Sequence, residues 1–559
     1  MKVIRTLIIL SLFIIVPFTG CEEEVLDKEP STTYTEKDVW SDIKMAEKYA
    51  LLNYNGAGAW SIQEEDGAKW KMVSTDIGMS RSDYGAYRFV DGTMSPSNMG
   101  YWSPIWSDGY NYIRRCNKVL ENIDRIEDVA ENRIERLKGE MRFLRAKIYF
   151  RLIKYFGGVP LVTEVFELDD DFTKSRDSYQ DCVEFIVTEL DDVAEILPET
   201  VSSEEIGRAT KGAALGLKSS VLLHAASKLH DPGTDPNGPL FDYNNNNKWE
   251  DAANAAKAVM DMGLYSLKEI DTWQDYTKIF LEQNSEQIFI RPYTHQYGHQ
   301  IDLRCSPNGY HGYGHNSPTH NFVQEFEMAN GMMIDEEGSG YDSSPESIYE
   351  NRELRFYANI VFNDCPAYRG RPAEFYVPGG LDSPDGPEAW NYCKTGYTMR
   401  KYMDESIDFH ELRGNTPYIH QRLAEIYLNY AEAQYQLGNE DLAREYVNKI
   451  RNRVNLPDIE TSGDELLEDI RHERKIELCF EGHRFFDTRR WMIADETAGK
   501  DAMGIEWKYV NEQGEIDPNG TLTYDIIVAQ ERMFQQKYYY LPIPYDEVAR
   551  TGMKQNPGY

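Results

Sequence analysis

Residues 471–491, RHERKIELCFEGHRFFDTRRW, constrain the fold more than any other stretch. With Ile470 just before them, Ile476, Leu478, Phe480, Phe485 and Phe486 are too many, and too spread around a helical wheel, for a surface helix. Charges are threaded among them. Arg474 and Glu477 lie three apart, as do Glu481 and Arg484, and Arg484 and Asp487, a spacing that puts partners on one helical face. A lone charge taken out of water costs several kcal/mol, so a buried helix of this composition must pair its charges. The stretch predicts a buried ion-pair network that locks the last helices together around a corner broken by Gly482. Catalysis is the alternative, because active sites also gather perturbed carboxylates.

The same residues carry a resemblance. ERKIELCFEGHRFFDTRRW is similar to the signature near the C-terminus of the RagB/SusD family, glycan-binding lipoproteins of the Bacteroidetes outer membrane. RLKGEMRFLRAKIYFRLIKYFGGVPLV at 136–162 resembles the family's other strong block, and YLPIPYDEVARTGMKQNPGY at 540–559 resembles its close. The resemblance covers nearly the whole chain beyond the N-terminal segment.

That segment reads as a processing signal. Lys2 and Arg5 form a basic region, residues 7–16 an apolar one, and Phe18-Thr19-Gly20 leads to Cys21. The order describes a secretory signal over 1–20, and the apolar run is short for a membrane span. The small residue before Cys21 resembles a bacterial lipobox, so Cys21 is the expected lipidation site of a tether over 21–35. Acyl chains contribute about 0.8 kcal/mol per buried methylene, and two or more give durable anchoring. Glu22, Glu23 and Glu24 resemble the surface-export signal of such lipoproteins, implying a surface-exposed address on the cell outer membrane. The alternatives are an ordinary signal peptide and a solvated acidic run.

A net charge of −35 repels phosphate backbones, so nucleic acid is not an expected partner. Beyond Cys21 the cysteines are Cys116, Cys182, Cys305, Cys365, Cys393 and Cys479, without CxxC or zinc-ribbon spacing. Cys305, Cys365 and Cys393 fall in loop-rich sequence, where bridging is open but unassignable.

No linker divides the chain, which predicts one body over 36–559, with an N-terminal part to 300 and a C-terminal part from 301. The expected class is mainly α. Helices are predicted over 36–53, capped by Thr35, then over 103–126, 134–156, 177–197, 211–229 and 249–262. Gly157-Gly158 and Pro160 stop the third. In 421–453, small Ala431, Ala433, Gly438 and Ala443 sit where two helices must approach, and helix, Leu-Gly-Asn turn, helix resembles a tetratricopeptide repeat. Residues 211–226 with 249–262 give a second such hairpin. Stacked hairpins of this kind make a helical scaffold.

Two segments resist helical patterning: 56–102 and 293–402. They are long, rich in Gly, Ser, Asn and Pro, and aromatic, so they read as functional loops rather than disordered ones. A few short strands are predicted within them, at 287–292 and 398–402. Aromatics reach 13% of the chain, with 38 tyrosines, a composition that suits flat, polar ligands. A sugar offers one face of C–H groups to an aromatic ring and an edge of hydroxyls to Asp, Asn, Arg or His. Asp76, Arg81, Tyr84 and Tyr87 supply that mixture, and Tyr297, Asn308, Tyr310, His311 and Tyr313 supply it again. These are the candidate glycan-binding residues. The competing reading has the same aromatics packing loops onto the helices.

The resemblance implies that glycan lies across aromatics from two segments. One follows the Thr75-Asp76 step, where Tyr84 and Tyr87 match by position. The other precedes 317–331, where Tyr297 and Tyr313 match. It further implies an oligosaccharide or polysaccharide ligand and a SusC-like TonB-dependent transporter as partner.

Catalytic motifs are absent: the sequence has no HExxH, GxxxxGK[ST] or GxSxG. A surface glycoside hydrolase needs only two carboxylates and stays an alternative. A metal-dependent enzyme is the other, through His295, His299, His311, His315 and His320, two pairs of which are spaced by four. Glycines and a proline among them oppose the helix that this spacing requires. No cofactor and no catalytic residue are expected.

Overall fold

The structure, a computed structural model, describes residues 35–57, 71–81, 86–127, 129–167, 170, 173–233 and 238–559. Cys21, with its signal and tether, lies outside the described residues, as does Tyr84.

The scaffold is a succession of helices in which each packs on the next. Pro104–Asn122 packs on Glu131–Phe156, then come Tyr179–Ala194, Lys211–Ala226 and Lys248–Asp261. The series resumes with Leu423–Gln436, which packs on Lys248–Asp261, and continues through Glu440–Arg453 and Gly463–Glu477. Local sequence sets the ends. Thr210 caps Lys211–Ala226 through the Ala213 amide, and Gly157, at φ +76°, ends Glu131–Phe156 where any Cβ would strike the Leu240 carbonyl. Gly438, at φ +80°, makes the turn between Leu423–Gln436 and Glu440–Arg453. The helix predicted over 36–53 is broken. Thr35 caps Glu36–Val39 in a capping box, and Asp42 starts a second helix, Ile43–Leu51, by accepting from the Lys44 amide.

Between the fifth and sixth scaffold helices the chain leaves for about 160 residues, counted from those helix bounds. This insertion has its own apolar core, including Tyr276, Phe280, Phe322, Phe356, Tyr368, Tyr397 and Tyr402. Much of the aromatic content of 293–402 therefore closes a core rather than facing solvent. The predicted strands appear as Gln287–Arg291, paired with Tyr418–Arg422, and Thr398–Met399, paired with Ile360–Val361. One hairpin went unpredicted: Ala502–Val510 with Thr521–Gln530, antiparallel, in sequence that reads as merely polar. Cys305, Cys365 and Cys393 do not bridge. All six described cysteines are free and buried, filling small apolar gaps, and burial pushes the Cys393 thiol up to about 12.

The signature stretch joins scaffold to insertion. Arg422 donates to Glu286 at 2.8 Å, to Glu477 at 2.7 Å and to Glu481 at 2.7 and 2.6 Å, all buried. Arg355 reaches Glu353 at 2.6 Å and Glu477 at 3.2 Å and also pairs with Glu473. Arg453 bonds Glu286 at 2.7 Å and pairs with Glu477, while Lys401 donates to Glu481 at 2.7 Å. A second cluster runs from Arg474 through Asp487 and Arg490 to Glu432, with steps of 2.9, 2.8 and 2.6 Å. The buried network exists, but the expected three-apart pairs do not form. Gly463–Glu477 ends at Glu477, and Phe480 and Gly482 take positive φ before Arg484–Arg490 begins. The stretch is two helices around a corner, which parts Glu481 from Arg484; within each helix other partners take the charges, Asp487 for Arg474, Arg422 for Glu477 and Asp76 for Arg484.

Candidate functional site

The loop surface is built outward from a two-residue sheet. Gly78–Met79 pairs antiparallel with Ser317–Pro318, Gly78 opposite Pro318 and Met79 opposite Ser317. Thr319 reinforces the pairing: its amide donates to the Ile77 carbonyl at 3.2 Å and its hydroxyl to the Asp76 carbonyl at 2.6 Å. The two segments that the resemblance singled out, one after Thr75-Asp76 and one before 317–331, thus lie side by side.

From this sheet Ser80 and Arg81 project into the loops. The Ser80 hydroxyl meets His315 Nδ1 at 2.9 Å. Arg81 Nε donates to the Tyr313 carbonyl at 3.3 Å, and its Nη1 donates to the Trp390 carbonyl. Tyr313 and Trp390 come from different loops, and both rings face solvent, at 39% and 69% exposure. Beside them His311 lies 3.5 Å from Glu388, and its ring centroid is 6.1 Å from that of His410. His410 Nε2 meets the Tyr310 carbonyl at 3.2 Å. At the far end of the same 408–414 loop, the Arg413 carbonyl meets His295 Nδ1 at 2.7 Å. That contact holds the loop bearing Tyr297, whose ring is 74% exposed.

The candidate residues divide accordingly. Tyr297, Tyr313 and His311 are exposed on this face. Tyr310 stands under it: its hydroxyl donates to the Tyr368 carbonyl at 2.6 Å, and the Arg371 guanidinium lies 4.0 Å over its ring. Burial raises the Tyr310 phenol above its usual range, partly offset by Arg371. Asn308 is buried and ties down the 383–387 loop, donating to the Ser383 and Pro387 carbonyls at 3.0 and 2.9 Å. Tyr87 is buried as well, its hydroxyl accepting from the Ser80 amide at 2.9 Å. Asp76 accepts from Arg484 at 2.9 and 2.7 Å and from Lys475 at 2.9 Å. Burial raises its carboxyl, and the two cations overcome that and hold it far below the usual carboxylate range. Asp76, Tyr87 and the Asn308 amide nitrogen, expected at the ligand, are committed to the fold. Polar side chains beside a Gly/Ser-rich loop look the same in sequence whether they face ligand or backbone.

Trp390 was the residue missed. Its only sequence signal is a large aromatic in a Pro/Gly-rich run, which does not reveal that Arg81 brings it beside Tyr313.

The loop histidines disperse to separate partners. His299 is buried against the Thr416 hydroxyl at 2.8 Å, and burial lowers it to about 4. His320 meets the Tyr397 hydroxyl at 2.9 Å and is lowered by burial to about 4. Among the described residues no three of His, Cys, Asp or Glu are grouped as ligands for a metal ion.

A scaffold of successive helices thus carries an inserted, loop-built face on which aromatic rings are exposed. Comparison with known proteins sharpens this. Residues 276–559 match the model of the SusD family, and residues 25–223 match a model described as starch-binding associating with outer membrane. The chain belongs to the SusD family. The structure superposes on a SusD-like protein from Bacteroides fragilis NCTC 9343 with a TM-score of 0.78 and 30% identity, covering 94% of this chain and 99% of that one. It also resembles a laminarin-binding SusD-like protein, with a TM-score of 0.65 and 22% identity over 93% of this chain and 100% of the other. A SusD-like protein of Formosa agariphila is 25% identical over 492 residues, 84% of this chain and 82% of its own length.

Proposed function

We propose that the face around Tyr313, Trp390, His311 and Tyr297 captures oligosaccharide or polysaccharide and does not cleave it. The observation that carries this reading is the joint presentation of Tyr313 and Trp390, two solvent-facing rings from separate loops, with imidazole groups at their edge. Flat amphipathic rings cover sugar C–H faces at low entropic cost, and His311 and His410 suit the hydroxyl edge. The laminarin-binding neighbour supports a carbohydrate ligand for this chain too.

The setting we propose is the outer face of the outer membrane. The protein is held there by lipid on Cys21 and passes captured glycan to a SusC-like TonB-dependent transporter. The lipobox-like sequence before Cys21 and the family description naming the outer membrane support this.

The test is a polysaccharide panel scored for both retention and product release. Retention of one or more glycans without release is the expected result. Released oligosaccharide would move the assignment to a surface hydrolase.

A further inference from the structure

Arg81 entered as a residue expected to touch ligand, and its geometry gives it a different task. Its backbone follows directly on the Gly78–Met79 pairing and on Ser80, whose amide and carbonyl both bond the Tyr87 hydroxyl. From that fixed point the guanidinium donates through Nε to the main-chain carbonyl of Tyr313 and through Nη1 to that of Trp390. A guanidinium presents its donors in a planar, rigid fork, so meeting two carbonyls at once fixes where they stand relative to each other. Charge-assisted bonds of this kind are about twice as strong as neutral ones. The Tyr313 loop is pinned at its base by backbone bonds from Tyr313 to Leu303 and from His315 to Arg304, and Asn308 joins it to the 383–387 loop. Arg81 adds a tie at the main chain of the two ring-bearing residues themselves, next to the 3-10 turns Asn308–Tyr310 and Ala389–Asn391.

We propose that Arg81 is a positioning residue that locks Tyr313 and Trp390 into one preformed stacking platform. The proposal rests on the binding reading above. Two exposed rings on separate loops, free to shift against each other, would have to be ordered by the ligand each time it binds. Rings already held together by Arg81 avoid that cost, which is the general route by which preorganisation raises affinity. The contribution of Arg81 therefore passes through the two rings and not through its own contact with sugar.

The experiment uses the whole chain labelled with 5-fluorotryptophan and the glycan retained most strongly in the panel. The protein has ten tryptophans, so the Trp390 fluorine resonance is assigned by its loss in Trp390→Phe. In ligand-free wild type that resonance is expected as a single narrow line. In Arg81→Ala it should broaden or split, while the melting temperature stays within error. Affinity should fall about five- to tenfold in Arg81→Ala, with partial recovery in Arg81→Lys, which reaches one carbonyl but not both. In a Tyr313→Ala/Trp390→Ala background, the same Arg81→Ala change should cost nothing further. An unchanged Trp390 resonance and unchanged affinity in folded Arg81→Ala would overturn the proposal. So would an equal loss of affinity in the ring-less background, since Arg81 would then be contacting sugar itself. If wild type retains no glycan at all, the binding reading fails, and the fluorine line of Arg81→Ala still judges the clamp.

Discussion

Arg484 grips both carboxylate oxygens of Asp76, at 2.9 and 2.7 Å, across 408 residues of chain. Lys475 completes the site at 2.9 Å. The corner of the signature stretch thus holds the start of the loop that delivers Arg81. Asp76→Ala leaves the buried Arg484 without its bidentate carboxylate and Lys475 with Glu325 alone, so it should destabilise the fold by about 3–5 kcal/mol. Urea unfolding followed by circular dichroism reads this out. Loss of glycan binding with unchanged stability would instead return Asp76 to the ligand site.

Glu477 should be the most sensitive carboxylate of the network. Burial alone would raise it, yet Arg453, Arg422 and Arg355 hold it well below its usual range. Glu477→Ala removes the one carboxylate that Arg422, Arg453 and Arg355 share, leaving three buried cations under-compensated, and is expected to cost about 3–5 kcal/mol or to prevent folding. Glu477→Gln keeps the volume and some hydrogen bonds and should cost less. Calorimetric melting of the two variants gives the ranking, and equal melting temperatures for both and wild type would refute the structural role.

Stability should fall in acid through this network. Burial raises Glu481 and Asp487, and their cations, Arg422 with Lys401 and Arg474 with Arg490, bring each down to about 2. Their folded values lie below the unfolded ones, so their stabilisation is complete above about pH 4.5 and is lost as pH falls toward 2, roughly 2–3 kcal/mol per group. Asp302 works in the opposite sense. Burial raises it to about 6 despite Arg369, so it costs stability as pH climbs from about 4 to about 6 and nothing further above that. Thermal melts across pH 2–8 should peak near pH 4.5 and level off above about 6. In Asp302→Asn the decline between about pH 4.5 and 6 should shrink. Melting that is flat from pH 2 to 5 would contradict the network's electrostatics.

Removing single rings should weaken binding without touching the fold. Tyr313→Ala, Trp390→Ala and Tyr297→Ala each delete an exposed aromatic worth on the order of 1–2 kcal/mol, or roughly fivefold to thirtyfold in Kd. Calorimetry on the retained glycan, with and without EDTA, checks both magnitude and metal independence. Affinity that survives all three substitutions in a folded protein would displace the site. Affinity lost only in EDTA would shift attention to the loop histidines.

Anchoring is tested separately. Cys21→Ala should move the protein from the membrane to the soluble fraction in cells lacking the transporter. Neutralising Glu22, Glu23 and Glu24 should leave it lipidated but shielded from external protease. A Cys21→Ala protein that stays on the membrane would refute lipid anchoring.

Sequence by itself determined what rests on local spacing. Apolar residues at three and four marked a helix over 134–156, found at 131–156, small residues marked the hairpin within 421–453, Gly157 and Gly438 marked the stops, and the charge-threaded apolar run 471–491 marked a buried network. Within that network Asp487 and Arg490 do pair at three apart, but the three expected pairs give way to partners that only the fold brings near, Arg422 for Glu477 and Asp76 for Arg484. The aromatic loops were legible as a class and illegible as a site. Whether a tyrosine faces water, like Tyr313, or closes a core, like Tyr368, depends on which distant segment packs against it. Long-range contacts decided that: the two-residue sheet joining 78–79 to 317–318, and the reach of Arg81 to Trp390 across 309 residues. Such contacts form because they satisfy buried or fixed polar groups in three dimensions, and no spacing along the chain encodes them.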